Sequence, residues 1–344
     1  MAGPRMDNKR PEPMRIWALL GPHRGDNNQI LALAEALGLP FEEKQLNYNQ
    51  LRRVPPALLG ETFASLDEPS RKLVEGELPD LTISTGLRSV PVVRELKRRS
   101  RGKMRAVHLG FPRIHPKHFD LVVTTPEYPV PDAPNVVRIP FALTPHRTRE
   151  VEQSDRDLLA AYPAPRRLLL IGGPTLYWRL PIEAMSTAIT DLTEDAKARG
   201  GSILAVGSPR TPVEALSAVR RTLESGSVPF LFEPGDGPPA YPAVIEAADE
   251  IFVTVDSVAM VADAVTTGKP VGLIPITKSG LGQLVVAVMD RLRPGKRLYP
   301  RDLRFFWAAL RREGFGGTLE EPRASNPPDY SAEIAERVRR LLEL

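Results

Sequence analysis

Cysteine is absent from this chain of 344 residues. Disulfide scaffolds, thiolate metal sites and cysteine nucleophiles are excluded with it. Histidine is scarce, at five residues. His115 and His118 have no carboxylates at helical spacing, so no metal site is expected. No run approaches the roughly 18 apolar residues that a membrane-spanning helix needs. Met1–Pro13 is polar throughout, and it is expected as a disordered tail rather than a signal peptide. Reducing cytoplasm is the default compartment for such a chain. Two common catalytic signatures are also missing. No Gly-Lys-Ser/Thr completes a Walker loop, and there is no Gly-x-Ser-x-Gly elbow.

What is present fits an ordinary globular protein. Hydrophobic residues make up 42% and charged residues 26%, and the length allows two domains with separate cores. The net charge of +4 is unevenly spread. Arg94–Arg105 holds seven basic residues and one acidic one, a net of +6 that leaves −2 for the remainder. A nucleic-acid binder would be basic more widely, so no nucleic acid is expected as partner. A single cationic segment suits an anionic surface or ligand. The plain alternative is a solvated helix face.

Apolar runs alternate with helical stretches along the chain. Strands are expected at Arg15–Leu20, Leu81–Ser84, Ala106–Leu109 and Leu121–Thr124, with helices at Asn28–Leu37 and Val90–Arg98. The pattern restarts with strands Arg167–Ile171, Ser202–Val206, Pro229–Phe232, Ile251–Val255 and Pro270–Ile274. Helices Ile182–Ala198, Val213–Glu224, Tyr241–Ala248 and Ser257–Thr267 lie between them, and a last helix covers Ser331–Leu344. Such alternation predicts parallel sheets built from βαβ units. The fold class is therefore α/β, with two doubly wound Rossmann-like domains joined near Thr144–Ser154.

The strongest local signal is Ile251–Pro275. A β-branched strand runs into Asp256 and Ser257, both good helix N-caps. The N–H groups and dipole of a helix start attract anions, and ligands of open α/β sheets sit at strand carboxyl ends. Asp263, a turn and a half on, is placed to accept from ribose hydroxyls. An ordinary βαβ unit with a solvated Asp263 reads equally well. Two more loops follow strands of the same half. Gly172-Gly173-Pro174-Thr175 lets backbone approach a phosphate, and Thr175 adds a hydroxyl. In Gly207–Pro212, Arg210 is suited to a diphosphate, beside Ser208 and Thr211. Each loop alone is weak, and their convergence on one sheet edge is stronger. In the first half, Gly21–Gln29 offers His23 and Asp26 as general bases, with Asn28 and Gln29 as hydrogen-bonding groups. Helix capping is the plain alternative there. Thr85 and Arg88 in Ser84–Ser89, and Arg113 after Pro112, form similar loops. Asp155-Arg156-Asp157 has an Asp-x-Asp spacing, but it opens a polar helix where acids are expected anyway.

In order along the chain, these pieces resemble a known family. Val253–Pro270 (VTVDSVAMVADAVTTGKP) is similar to the Thr-x-Asp-Ser-x-Ser-Met-x-x-Glu-Ala…Gly-Lys-Pro signature of the mitochondrial-fission "elongated mitochondria" family, which has plant and many bacterial members. Gly25…Asn28-Gln29, Ser84-Thr85-Gly86…Arg88-Ser89-Val90-Pro91, His108-Leu109-Gly110…Pro112-Arg113, Phe119-Asp120, Gly172-Gly173-Pro174 and Ser208–Pro212 fit in sequence. Ala259 stands where Ser is usual, and Asp263 where Glu is. Pro126-Glu127-Tyr128-Pro129 stands where Pro-Glu-His-Asp is common.

Resemblance to a bacterial member implies a GT-B glycosyltransferase, two Rossmann-like domains facing a cleft. It divides the chain into a tail (1–13), an acceptor-side domain (14–148), a nucleotide-sugar-binding domain (149–328) and a helix crossing back to the first domain (329–344). The C-terminal motif is similar to that of the peptidoglycan N-acetylglucosaminyl transferase. Carried over, Gly172, Gly173, Thr175, Ser208, Arg210, Thr211, Asp256, Ser257 and Met260 line the donor diphosphate and base, and Asp263 holds the ribose. Asp26 or His23 is the base, and Asn28, Gln29, Thr85, Arg88 and Arg113 face the acceptor. No metal or other cofactor is implied. The implied partners are a nucleotide sugar and a glycan or lipid-linked acceptor of the cell envelope, such as lipopolysaccharide. The implied place is the cytoplasm, with Arg94–Arg105 against anionic lipid at the inner membrane. The plant relatives imply a competing role, a non-catalytic adaptor of the same fold. A nucleotide-sugar epimerase is a third reading.

Overall fold

The computed structural model describes residues 14–145, 151–224, 229–232 and 239–344. Met1–Pro13, expected as a tail, and the middle of the expected join lie outside the described residues. The chain forms two compact units. Unit 1 comprises residues up to Val123, Val130–Val137 and Ala332–Leu344, and unit 2 comprises Thr124–Pro129 and Arg138–Ser331.

Unit 1 is built from β1 (Ile16–Leu20), α1 (Arg24–Ala36), β2 (Glu42–Gln45), α2 (Pro56–Leu59), α3 (Glu68–Leu73), β3 (Leu81–Thr85), α4 (Gly86–Arg99), β4 (Arg105–Leu109), β5 (Leu121–Thr124) and β6 (Val136–Arg138). The sheet order is β2-β1-β3-β4-β5-β6, and β2-β1, β1-β3, β3-β4 and β4-β5 pair in parallel. Helices cover both faces of such a sheet, so its inner strands carry continuous apolar runs. β1, for example, is buried at every position.

Two helices start four residues earlier than their apolar pattern suggests. In α1, Asn27 folds back on Gly21, accepting from its N–H at 2.8 Å and donating to its carbonyl at 2.9 Å. That closes the loop early, so Asp26, Asn28 and Gln29 lie in the opening turns of the helix rather than on a loop. In α4, Pro91 suggests a start near Val90. Ser89 instead donates back toward the Thr85 and Gly86 carbonyls, at 2.8 and 3.0 Å, and the helix begins at Gly86 with Arg88 inside it.

His108 on β4 is fully buried against Phe119, with Nδ1 at 3.1 Å from the Ser84 hydroxyl. Burial pushes its pKa from 6.5 down to about 3. Below pH 6.5 the unfolded chain therefore binds a proton that the folded chain refuses. Stability should fall as pH drops through this window, by up to about 1.4 kcal/mol per pH unit. Urea unfolding of wild type and His108→Gln checks this. The variant should be less stable at neutral pH but flatter in its acid dependence. An equally steep acid response in the variant would assign the loss to other groups.

Unit 2 is built from α5 (Gln153–Ala160), β7 (Arg166–Ile171), β8 (Trp178–Arg179), α6 (Ile182–Ala198), β9 (Ser202–Gly207), α7 (Val213–Glu224), β10 (Pro229–Phe232), α8 (Tyr241–Ala247), β11 (Glu250–Thr254), α9 (Val258–Val265), β12 (Val271–Ile274), β13 (Thr277–Lys278), α10 (Gly280–Leu292) and α11 (Leu303–Glu313). The main sheet has the order β10-β9-β7-β11-β12, parallel throughout, and β8 pairs antiparallel with β13. The α/β class and doubly wound plan read from the alternation hold. The helices α10 and α11 were not expected.

The last helix, α12 (Tyr330–Leu341), belongs from Ala332 onward to unit 1. Ile334, Ala335 and Val338 form its buried face. Arg339 Nη2 donates to the carbonyls of Ala36 and Leu37, both at 2.9 Å. It thus satisfies carbonyls that the end of α1 leaves without helical partners.

Candidate functional site

The strand order of unit 2 reverses between β7 and β11. Neighbouring loops leave in opposite directions at such a point, which opens a crevice beyond the strand ends. Gly172 and Gly173 follow β7 directly. Gly172 N–H donates to Thr254 Oγ1 at 2.8 Å, and Gly173 N–H to Asp256 Oδ2 at 2.7 Å. A Cβ on Gly172 would overlap the Asp256 carboxylate, and one on Gly173 would overlap the backbone carbonyl of Arg210. Glycine is required here by close approach, not by a left-handed φ.

The third loop is tied to the same place. Thr211 Oγ1 lies 2.8 Å from the Ile171 carbonyl and 2.6 Å from that of Gly172, and it accepts from Ser208 N–H at 2.7 Å. Arg210 Nη1 donates to the Gly173 carbonyl at 3.3 Å, and Nη2 stands 3.7 Å from Asp256 Oδ2. About half of the Arg210 side chain is exposed, so its guanidinium remains open to a ligand. Thr175 N–H donates to Trp178 O at 2.9 Å, turning the glycine loop into β8. The loops after β7, β9 and β11 therefore converge, as their sequence positions suggest.

Asp256 and Ser257 act first on the protein itself. Asp256 is 1% exposed and holds Gly173 in place. Burial raises its pKa, while Thr254, the Gly173 N–H and Arg210 pull it back down. Its Oδ1 has no hydrogen-bond partner among the described residues. The Ser257 hydroxyl accepts from Met260 N–H at 3.5 Å and caps α9. Trp307 Nε1 donates to the Val255 carbonyl at 2.8 Å, fixing the chain just before the cap. Asp263 is not merely solvated, because Tyr241 OH donates to its Oδ2 at 3.1 Å. Met260, one turn earlier, is half-buried.

Sequence reasoning missed an ion pair in the same unit, between a buried glutamate and a partly exposed arginine. Glu127 is 1% exposed, and its Oε1 is 3.4 Å from Arg301 Nη2. Glu127 Oε2 and Arg301 Nε have no hydrogen-bond partner among the described residues. Burial alone would lower the Arg301 pKa, but Tyr128, Glu127 and Asp256 outweigh it and raise the value. The signal available was Glu127 itself, an acid between two prolines.

In unit 1 the strand order reverses between β1 and β3. Asp26 Oδ2 lies 3.8 Å from the Cβ position of Gly86, so the starts of α1 and α4 adjoin. Thr85 Oγ1 donates to Leu109 O at 2.9 Å, tying β3 to β4. His23 is the exposed N-cap residue of α1, and its side chain makes no capping bond. Arg88 is half-buried, and Arg113 is exposed with φ of 56°, a left-handed conformation unusual for arginine. Asp155, noted for its Asp-x-Asp spacing, is buried and accepts from Ala240 N–H at 2.9 Å, a structural tie. No group of His, Asp and Glu able to hold a metal occurs among the described residues.

A model of the family described as Mitochondrial fission ELM1 matches residues 24–342. The chain belongs to that family. The Mitochondrial fission protein ELM1 of Arabidopsis thaliana is 24% identical over 234 residues, 60% of this chain and 53% of the plant protein. The match thus spans about half the length of that relative. The solved UDP-GlcNAc 2-epimerase of Methanocaldococcus jannaschii superposes with a TM-score of 0.53 at 14% identity, covering 96% of this chain and 99% of that one. The UDP-GlcNAc 2-epimerase of Neisseria meningitidis, solved bound to UDP-GlcNAc, gives 0.53 at 13%, covering 96% and 100%. The family member described here therefore has the GT-B-like fold of two Rossmann-like units.

Proposed function

We propose that the protein is a metal-independent glycosyltransferase whose unit 2 binds the nucleotide sugar at the β7–β11 reversal. The single observation carrying this is the convergence of Gly172-Gly173, Ser208–Thr211 and the start of α9. Such a site offers the first N–H groups and the dipole of α9, and an arginine, to a diphosphate. The bound UDP-GlcNAc of the Neisseria neighbour supports a nucleotide sugar as ligand. In the reaction, an acceptor hydroxyl attacks the anomeric carbon and loses its proton to Asp26 or His23. The bond from that carbon to the diphosphate oxygen breaks, and Arg210 and α9 hold the departing diphosphate. Asp263 accepts from the ribose, with Tyr241 steadying the carboxylate. Asn28, Gln29, Thr85, Arg88 and Arg113 contact the acceptor on unit 1, which we take to be an envelope glycan or lipid-linked sugar at the cytoplasmic face of a membrane.

Arg210→Ala should weaken donor binding about 10- to 100-fold, the worth of one or two charge-assisted hydrogen bonds. Nucleotide-sugar titration of the folded variant measures this. Two other readings are each favoured by one observation. Two structural neighbours are epimerases, and the plant relative is named for mitochondrial fission. Incubation with donors, with and without membrane glycolipid, separates all three. Acceptor-dependent release of nucleoside diphosphate supports the transferase. Isomerisation of donor alone supports an epimerase. Folded protein that responds to no nucleotide sugar supports the adaptor.

A further inference from the structure

Helix α10 presents an apolar stripe to water. Leu281, Leu284, Val288 and Leu292 are 50%, 64%, 44% and 71% exposed. At about 100° per residue they fall within an arc of about 80°, over roughly 16 Å of helix. The opposite side attaches the helix to unit 2. Gly282 and Val286 are buried, and Gly282 packs where a Cβ would overlap the Tyr177 carbonyl. Leu176 lies beside the N-terminal end of the helix. It is exposed, and its carbonyl accepts from Ser279 Oγ at 3.3 Å. A continuous exposed patch of this kind marks an interaction surface rather than scattered surface leucines.

The charges around the stripe are of one sign. Arg291 borders it on the helix, and Arg293 and Lys296 stand in the turn beyond. All three are exposed, and none is in an ion pair among the described residues. The one acid of the helix, Asp290, is occupied by Arg304 Nη1, at 3.0 and 2.9 Å. At the other end, Lys278 and Arg179 are exposed on the β8–β13 pair. An antiparallel pairing of two copies through this stripe would bring the cations at one end against those at the other. A parallel pairing would also set like charges together. The Arg94–Arg105 segment is less available. Arg94 pairs with Glu61, Lys97 and Arg105 with Asp120, and Arg98 and Arg99 with Glu95.

We propose that the exposed face of α10 docks unit 2 on an anionic lipid surface. Its leucines enter the headgroup boundary, and Arg291, Arg293 and Lys296 meet the lipid phosphates, as for an interfacial amphipathic helix. The proposal does not rest on nucleotide binding, and its test is run without nucleotide. The full chain is sedimented with phosphatidylcholine vesicles containing about a third phosphatidylglycerol, and with phosphatidylcholine alone. Binding is expected only to the anionic vesicles. Leu284→Glu with Leu292→Glu should lower it at least about tenfold, and Arg291→Gln, Arg293→Gln and Lys296→Gln together by a similar factor. Arg101→Gln with Lys103→Gln should leave it unchanged. Circular dichroism checks that wild type and variants are folded, and light scattering reads their oligomeric state, expected to be monomeric. No binding to anionic vesicles overturns the proposal. So does binding that survives the α10 variants, binding lost with Arg101 and Lys103, or a wild-type dimer that Leu284→Glu dissociates.

Discussion

Replacing Gly173 by alanine is expected to abolish binding of nucleotide sugars, a loss of at least about 100-fold. The new methyl group would overlap the Arg210 backbone carbonyl. A clash with backbone cannot be relieved by a rotamer change, so one loop must move. Either movement stretches the 2.7 Å bond from Gly173 N–H to Asp256, and leaves a buried carboxylate with less compensation. The thermal cost should be modest, about 1–3 kcal/mol, because overpacking displaces two loops rather than the sheet. Calorimetric titration alongside a melting curve separates the effects. A variant that binds normally would place the ligand elsewhere.

Glu127→Ala should destabilise unit 2 by about 2–3 kcal/mol, less than the loss of a wholly buried pair because a quarter of the Arg301 side chain remains exposed. Removing the buried carboxylate leaves the Arg301 charge compensated only by its solvent-facing quarter and its remaining neighbours. Arg301 would keep only Tyr128 and Asp256 nearby, and Asp256 is itself buried. The exposed pair Arg337–Glu333 gives a scale for comparison. Breaking that pair should shift stability by less than about 1 kcal/mol. Arg301→Met in the Glu127→Ala background should recover part of the loss, since an apolar pair avoids the unpaired charge. Urea unfolding of wild type, Glu127→Ala, Arg301→Met and the double variant completes the cycle. Equal losses at both pairs would mean that water reaches the Glu127 carboxylate.

What was legible in the sequence were the elements whose burial writes a pattern. Leu168–Ile171 and Ile251–Val253 are continuous apolar runs because each strand is covered on both faces. The edge strand β2, EEKQ, is mostly exposed and so carries no apolar pattern at all. In α11, Leu303, Phe306 and Leu310 do recur at helical spacing, and the Asp302 side chain caps the helix by accepting from Arg304 N–H. Helix α10 was obscured for a different reason. Its apolar residues face outward as well as inward, so no single stripe stands out.

The candidate site was partly legible for a related reason. Glycines, prolines and caps at strand ends announce loops that approach one another, and those loops do converge. Side-chain partners across long sequence distances leave no local trace. The pairing of Glu127 with Arg301 and of Tyr241 with Asp263 depends on folding. So does the use of Asp256 as a tie for Gly173, where its position before a helix suggested a ligand contact.

The nucleotide-diphosphate site proposed here lies at the β7–β11 reversal of unit 2. Calorimetric titration of the full chain with UDP, UDP-GlcNAc and other nucleotide sugars tests it most directly. Saturable binding of at least one of these is expected. That binding should weaken about 10- to 100-fold in Arg210→Ala and vanish in a folded Gly173→Ala. Folded wild-type protein that binds none of them, or binds one equally well in Gly173→Ala, would contradict the account.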